Sequence, residues 1–142
     1  MQCLIYSNRS LVGQADFIHF DPGMGCTVAP FLPSVDYEEI RPTVRAYSLL
    51  GSFADTEATP ETKAHAAEVY QRCLALDLTA HTLSGEVLEP AGGITLEDYS
   101  EELDEDPYQV TLFGLPRHIS EKYFHDAIRQ YYGETRQENG RS

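Results

Sequence analysis

Apolar residues in this chain come in short runs, and turn-forming clusters break nearly every one of them. That pattern excludes long helices over most of the length and points to a sheet of short strands. Gln2–Ser7, Ala15–Phe20 and Cys26–Leu32 read as the first three strands. Asn8-Arg9-Ser10 and Asp21-Pro22-Gly23-Met24-Gly25 supply the turns between them. Leu78–Leu83 and Glu86–Leu88 read as a hairpin around Ser84-Gly85. Ala91-Gly92-Gly93 is a further break, and Tyr108–Phe113 alternates like a strand before Gly114-Leu115-Pro116.

Helical spacing occurs in three places. Asp36-Tyr37-Glu38-Glu39 has the D-x-x-E spacing of a capping box. Pro42 follows closely, and within a helix it would remove one hydrogen bond and crowd an earlier carbonyl. The segment is therefore predicted as a turn at 36–40 and a helix over 42–50, followed by a polar loop over 51–58. Thr59-Pro60-Glu61 combines an N-cap, a proline at N1 and an acid at the positive end of the helix dipole. Ala66, Val69, Tyr70, Cys73 and Leu74 then recur at helical intervals, which predicts a helix over 60–75. The last predicted helix, 120–132, is capped by Ser120 and ended by Gly133. Its apolar stripe is Ile119, Tyr123, Phe124, Ala127, Ile128 and Tyr131, with Lys122, His125 and Arg129 on another face.

At 142 residues the chain has the length of one ordinary domain. The expected fold is α+β over residues 1–133: one mainly antiparallel sheet of four to six short strands, with two or three helices packed over it. A flexible tail is expected over 134–142. No apolar run is long enough for a transmembrane helix, and the first residues lack the pattern of a secretory signal, so the expected setting is soluble and cytoplasmic. Cys3, Cys26 and Cys73 are odd in number and scattered, which argues against a disulfide framework.

The charge is the distinctive global quantity. Ten Lys and Arg stand against 23 Asp and Glu, a formal net of −13. Residues 117–142 hold five bases and four acids, so the excess of acid lies entirely before residue 117. A field of that sign repels nucleic acid and anionic membrane and draws in basic surfaces. The acid is densest over 97–106, where Glu97, Asp98, Glu101, Glu102, Asp104, Glu105 and Asp106 lie within ten residues. This run is no EF-hand, because the position that needs glycine, counted from Asp98, is Leu103. Tyr99 lies inside the run and Tyr108 just beyond it, and Tyr37, Glu38 and Glu39 repeat the same mixture earlier. Tyrosine among carboxylates suits a protein-binding surface.

Motifs for catalysis are missing. There is no G-x-S-x-G, H-E-x-x-H or S-x-x-K, and Gly23-Met24-Gly25 lacks the lysine of a P-loop. His118 and His125 are about two helical turns apart and cannot share one ion. His19 and Cys26 flank the Pro22–Gly25 turn and are the nearest thing to a nucleophile with a base. No cofactor or metal is expected. The expected function is a non-catalytic acidic binding module of the inhibitor or immunity-protein kind that docks on a basic protein, with a homodimer left open. Its contact residues would be Tyr37, Glu38, Glu39, Glu97, Asp98, Tyr99, Glu101, Glu102, Asp104, Asp106 and Tyr108. Two rivals are a small hydrolase-like enzyme with dispersed His, Cys and carboxylate groups, and a mimic of nucleic acid. The basic face of Lys122, His125 and Arg129 is expected to lie against the acidic segment of its own chain or of a second copy.

Overall fold

A computed structural model describes residues 1–50 and 59–139, with side chains described as far as Gly133. The predicted polar loop over 51–58 lies outside the described residues. The chain order is β1 (Gln2–Ser7), β2 (Ser10–Asp16), β3 (Cys26–Pro33), α1 (Tyr37–Leu50), α2 (Pro60–Leu74), β4 (Leu78–Thr82), β5 (Val87–Leu88), β6 (Gly93–Asp98), β7 (Tyr108–Phe113), α3 (Arg117–Tyr123) and α4 (His125–Asn139). The seven strands form one curled sheet in the order β5-β4-β1-β2-β3-β7-β6, and every pairing is antiparallel. The curl brings β4 and the edge strand β6 close to each other.

The α+β class stands, with seven strands and four helices instead of four to six and two or three. Two strand readings change. The second strand ends at Asp16, not Phe20. Polar Ser10, Gln14 and Asp16 face outward along it, while Phe17 is fully buried just past its end. The bulk of Phe17 and Phe20 thus marks core contact beyond the ladder, while Ile18 and His19 between them are exposed. The strand β6 begins at Gly93, where φ is +88°, a backbone shape that glycine adopts freely. Its last two residues are acidic, so the segment reads as loop.

The helix readings change too. The first helix runs through Pro42 without a break. Tyr37, Glu38 and Glu39 donate i→i−3 bonds to Ser34, Val35 and Asp36, so the chain is already coiled when it enters the helix. Pro42 lies near that end and costs one backbone bond there. The second helix starts as expected. Thr59 Oγ1 accepts from the Thr62 amide, Thr62 Oγ1 accepts in turn from the Thr59 amide, and Pro60 follows the cap. Its packing is different, since Val69 is the one buried residue on it. The predicted 120–132 helix is two helices that meet at Phe124, whose φ of −129° and ψ of 32° break the helical path. The N-cap of α3 is Pro116, and Ser120 is buried inside it. Past Phe124, α4 continues through Gly133 to Asn139.

One cluster of buried side chains links the sheet to α1 and α3. Ile5, Val12, Phe17, Ala29, Phe31, Val110 and Leu112 come from the strands and their margins, Tyr37, Ile40 and Val44 from α1, and Ile119 from α3. The alternation of the strands decides which side chains enter. On β3, Thr27, Ala29 and Phe31 are buried, while Val28, Pro30 and Leu32 are exposed. Gly13 faces inward, where an added Cβ would lie 2.3 Å from the Phe31 ring. No described helix is long and apolar enough to cross a membrane.

Candidate partner-binding site

The first turns of α1 and the segment after β6 are about 60 residues apart in sequence, yet two arginines of α1 bind them together. Arg41 donates from Nε and Nη2 to Glu38 on its own helix, at 2.7 to 3.2 Å. Its Nη1 reaches the Asp98 carboxylate, the Ser100 hydroxyl and the Tyr108 hydroxyl at 3.1 to 3.2 Å. One helical turn on, Arg45 donates to both Glu101 and Glu102 at 2.7 Å, and to the Asp98 carbonyl at 3.2 Å. The i, i+4 spacing of the two arginines puts them on one helix face, opposite the acidic segment.

Asp98 anchors this arrangement. It is fully buried, accepts from the Tyr37 hydroxyl at 2.5 Å and from the Ser100 amide at 2.9 Å, and its own amide donates to Ser48 Oγ at 2.8 Å. Burial pulls the carboxyl upward, but hydrogen bonds from Ser100 and Tyr37 and the charge of Arg41 outweigh it, so Asp98 sits below the usual carboxylate range. Burial, followed by the bond to Asp98, pushes the Tyr37 phenol well above its ordinary value. The hydrogen bond from Arg45 lowers Glu102 despite an opposing effect of burial.

The predicted contact residues therefore divide by burial into three groups. Tyr37 and Asp98 are interior, and Tyr108 is half-buried, with its ring 5.7 Å from that of Tyr37. Glu97 and Tyr99 are also half-buried, and the Tyr99 hydroxyl donates to Glu97 at 2.9 Å. Glu38, Glu39, Glu101, Glu102, Asp104 and Asp106 are exposed. Asp36 and Glu105 join them on the surface, as do two apolar side chains, Val35 and Leu103, at 89% and 50% exposure. Arg41 and Arg45 are the residues that sequence reasoning missed. Their i, i+4 spacing in a helix with few other charges was the available signal.

The expectation that Lys122, His125 and Arg129 would meet the acidic segment is corrected for the segment of the same chain. Lys122 pairs with Glu86 at 2.7 Å, and the Tyr123 hydroxyl donates to the same carboxylate. The basic groups at 97–106 come from α1 instead. At the Pro22–Gly25 turn, the Cys26 thiol donates to the Met24 carbonyl at 3.3 Å, and Asp21 accepts from the Gly23 and Met24 amides. His19 is exposed, and Thr27 donates to its backbone carbonyl. The described residues contain no group of three or more His, Cys, Asp or Glu able to hold a metal ion.

Comparison of the chain with protein-family models, with curated proteins and with solved structures gives no match.

Proposed function

We propose that this protein binds a basic protein partner through the face made by the start of α1 and the 99–106 segment. The observation that carries the reading is the meeting of two acidic segments around Arg41 and Arg45. The arginines fix the backbone of the acidic segment and still leave most of its charge unmatched. Asp36, Glu39, Asp104, Glu105 and Asp106 remain exposed, as do Val35 and Leu103 beside them in sequence. Apolar contacts within a charged rim are the usual anatomy of a protein interface. The acidic rim would speed encounter with a basic surface, and the apolar contacts would slow its departure. An inhibitor or immunity-type role fits this chemistry, because surfaces that handle phosphate are basic.

Amide hydrogen exchange tests the reading. On addition of a basic partner captured from native lysate, protection is expected to rise at 35–39 and 99–106. Protection confined to other parts of the chain would remove this face from the interface.

A further inference from the structure

Helix α2 leans on α1 and leaves a wedge-shaped gap over the edge of the sheet. Its contacts with α1 include the Tyr47 and Tyr70 rings, 5.9 Å apart and edge to face, and Arg72 donating to Thr43 Oγ1 at 3.3 Å. Between the C-terminal half of α2 and strand β6 lies an open cavity of about 350 Å³, lined by Val44, Leu74, Leu76, Leu78, Ile94 and Leu96. That volume falls at the lower end of the range for small-molecule sites. Tyr47, Tyr70 and Thr95 line it as well, and the same three residues border a second hollow that holds Glu97 and Tyr99. The two hollows adjoin at this common wall, one aliphatic and one tyrosine-rich, and together outline a candidate groove.

The tyrosine-rich end has a specific chemistry. Three tyrosines, Tyr47, Tyr70 and Tyr99, line the hollow together with one carboxylate, Glu97. Among the described residues, the ion pairs of the neighbouring segment go to Asp98, Glu101 and Glu102 and pass Glu97 by. The bond it does receive, from the Tyr99 hydroxyl, orients the carboxylate without neutralising it. Aromatic faces carry negative potential, so rings around a carboxylate favour a cation, above all a poorly hydrated ammonium. The strongly negative chain also concentrates cations near its surface and repels anions.

We infer that this groove binds a small hydrophobic cation, an ammonium ion carrying an alkyl or aryl tail. The head sits among Tyr47, Tyr70, Tyr99 and Glu97, and the tail lies along Leu74, Leu76 and Ile94. The site adjoins the exposed acidic face, with Tyr99 at the border between them, and does not depend on a protein partner.

The test is calorimetric titration of the full chain with (4-phenylbutyl)trimethylammonium, alongside 4-phenylbutanol, 4-phenylbutyrate and tetramethylammonium. The tailed cation is expected to bind roughly tenfold more tightly than the alcohol or the tail-less cation, and the carboxylate more weakly still. Glu97→Gln and Tyr70→Leu should each weaken the tailed cation by roughly tenfold. Thermal melts of the two variants show whether they remain folded, and Tyr70 is more than half exposed, so its replacement leaves the core intact. No binding of the tailed cation, equal binding of the alcohol, or unchanged binding by Glu97→Gln would overturn the inference.

Discussion

The Tyr37 hydroxyl donates a 2.5 Å hydrogen bond to the carboxylate of Asp98, 61 residues further along the chain, and both side chains are buried. This bond joins the start of α1 to the end of the edge strand. With Arg41 and Arg45 it determines where the acidic segment emerges. A buried carboxylate is tolerated only when its lone pairs are met by donors, and Asp98 has donors from Tyr37, Arg41 and Ser100.

Removing the carboxylate should therefore cost more than removing the phenol. Asp98→Ala leaves the buried Tyr37 hydroxyl and the Ser100 amide without their acceptor and takes one of several partners from each guanidinium, an expected loss of about 3–5 kcal/mol. Tyr37→Phe keeps the packing and loses one charged hydrogen bond, about 1.5–3 kcal/mol. Urea denaturation of both variants checks the order, and a larger loss for Tyr37→Phe would mean that Asp98 is not the anchor.

The same site predicts a direction with pH. The Asp98 carboxyl titrates below its unfolded value, so its contribution to stability is complete above about pH 4 and is lost as the pH falls through the lower folded value. Wild-type protein should lose stability on acidification below about pH 4 more steeply than Asp98→Asn, which has no such proton to take up. Parallel pH curves for the two proteins in urea melts would contradict this.

Phe124 sits at the break between α3 and α4, almost fully buried and stacked on Phe20 with ring centroids 5.1 Å apart. Phe124→Ala should cost about 3–5 kcal/mol, the usual range for a truncated core aromatic. Arg129 is exposed, and Arg129→Ala should stay within about 0.5 kcal/mol. Thermal melts compare the two, and a larger effect at Arg129 would mean that the registers of α3 and α4 are misassigned.

Gly13 and Gly85 separate space from backbone shape. An added Cβ at Gly13 meets the Phe31 ring and the Leu32 carbonyl at 2.3 to 2.4 Å, whereas Gly85 has open space but a φ of +91°. Gly13→Ala is expected to cost about 1–3 kcal/mol through overpacking. Gly85→Ala pays only for its backbone, about 1 kcal/mol. Equal losses in denaturant would show that Phe31 moves aside.

The features that sequence reasoning read well were local ones. Gln2–Ser7 alternates cleanly, and Thr59-Pro60 carries its own helix-start chemistry, so β1 and the beginning of α2 were visible. The strand β2 was displaced because its outward residues are polar and its core neighbour Phe17 lies beyond it. The edge strand β6 was hidden by a glycine start and an acidic end. In the candidate site, the two acidic segments stood out, but their meeting did not. It depends on Arg41 and Arg45 reaching residues more than 50 positions away, and on two carboxylate-rich stretches being held side by side by those guanidiniums. Long-range pairing of this kind leaves no periodic trace in a single sequence.

In the proposed function, the exposed carboxylates steer association with a basic protein. Glu101 and Glu102 are poor places to test it, because both are tied to Arg45 and their reversal would disturb the segment itself. Asp104 and Glu105 are exposed and belong to none of the ion pairs with Arg41 or Arg45. The direct measurement is the association rate of a captured basic partner with wild-type protein and with the Asp104→Lys, Glu105→Lys double variant, at low and at physiological ionic strength. Screening over about 8 Å at physiological salt should slow the wild-type on-rate steeply. The double variant should associate more slowly at low salt and lose most of that salt dependence, with its off-rate little changed. An on-rate that is indifferent to salt and identical in the two proteins would contradict the account.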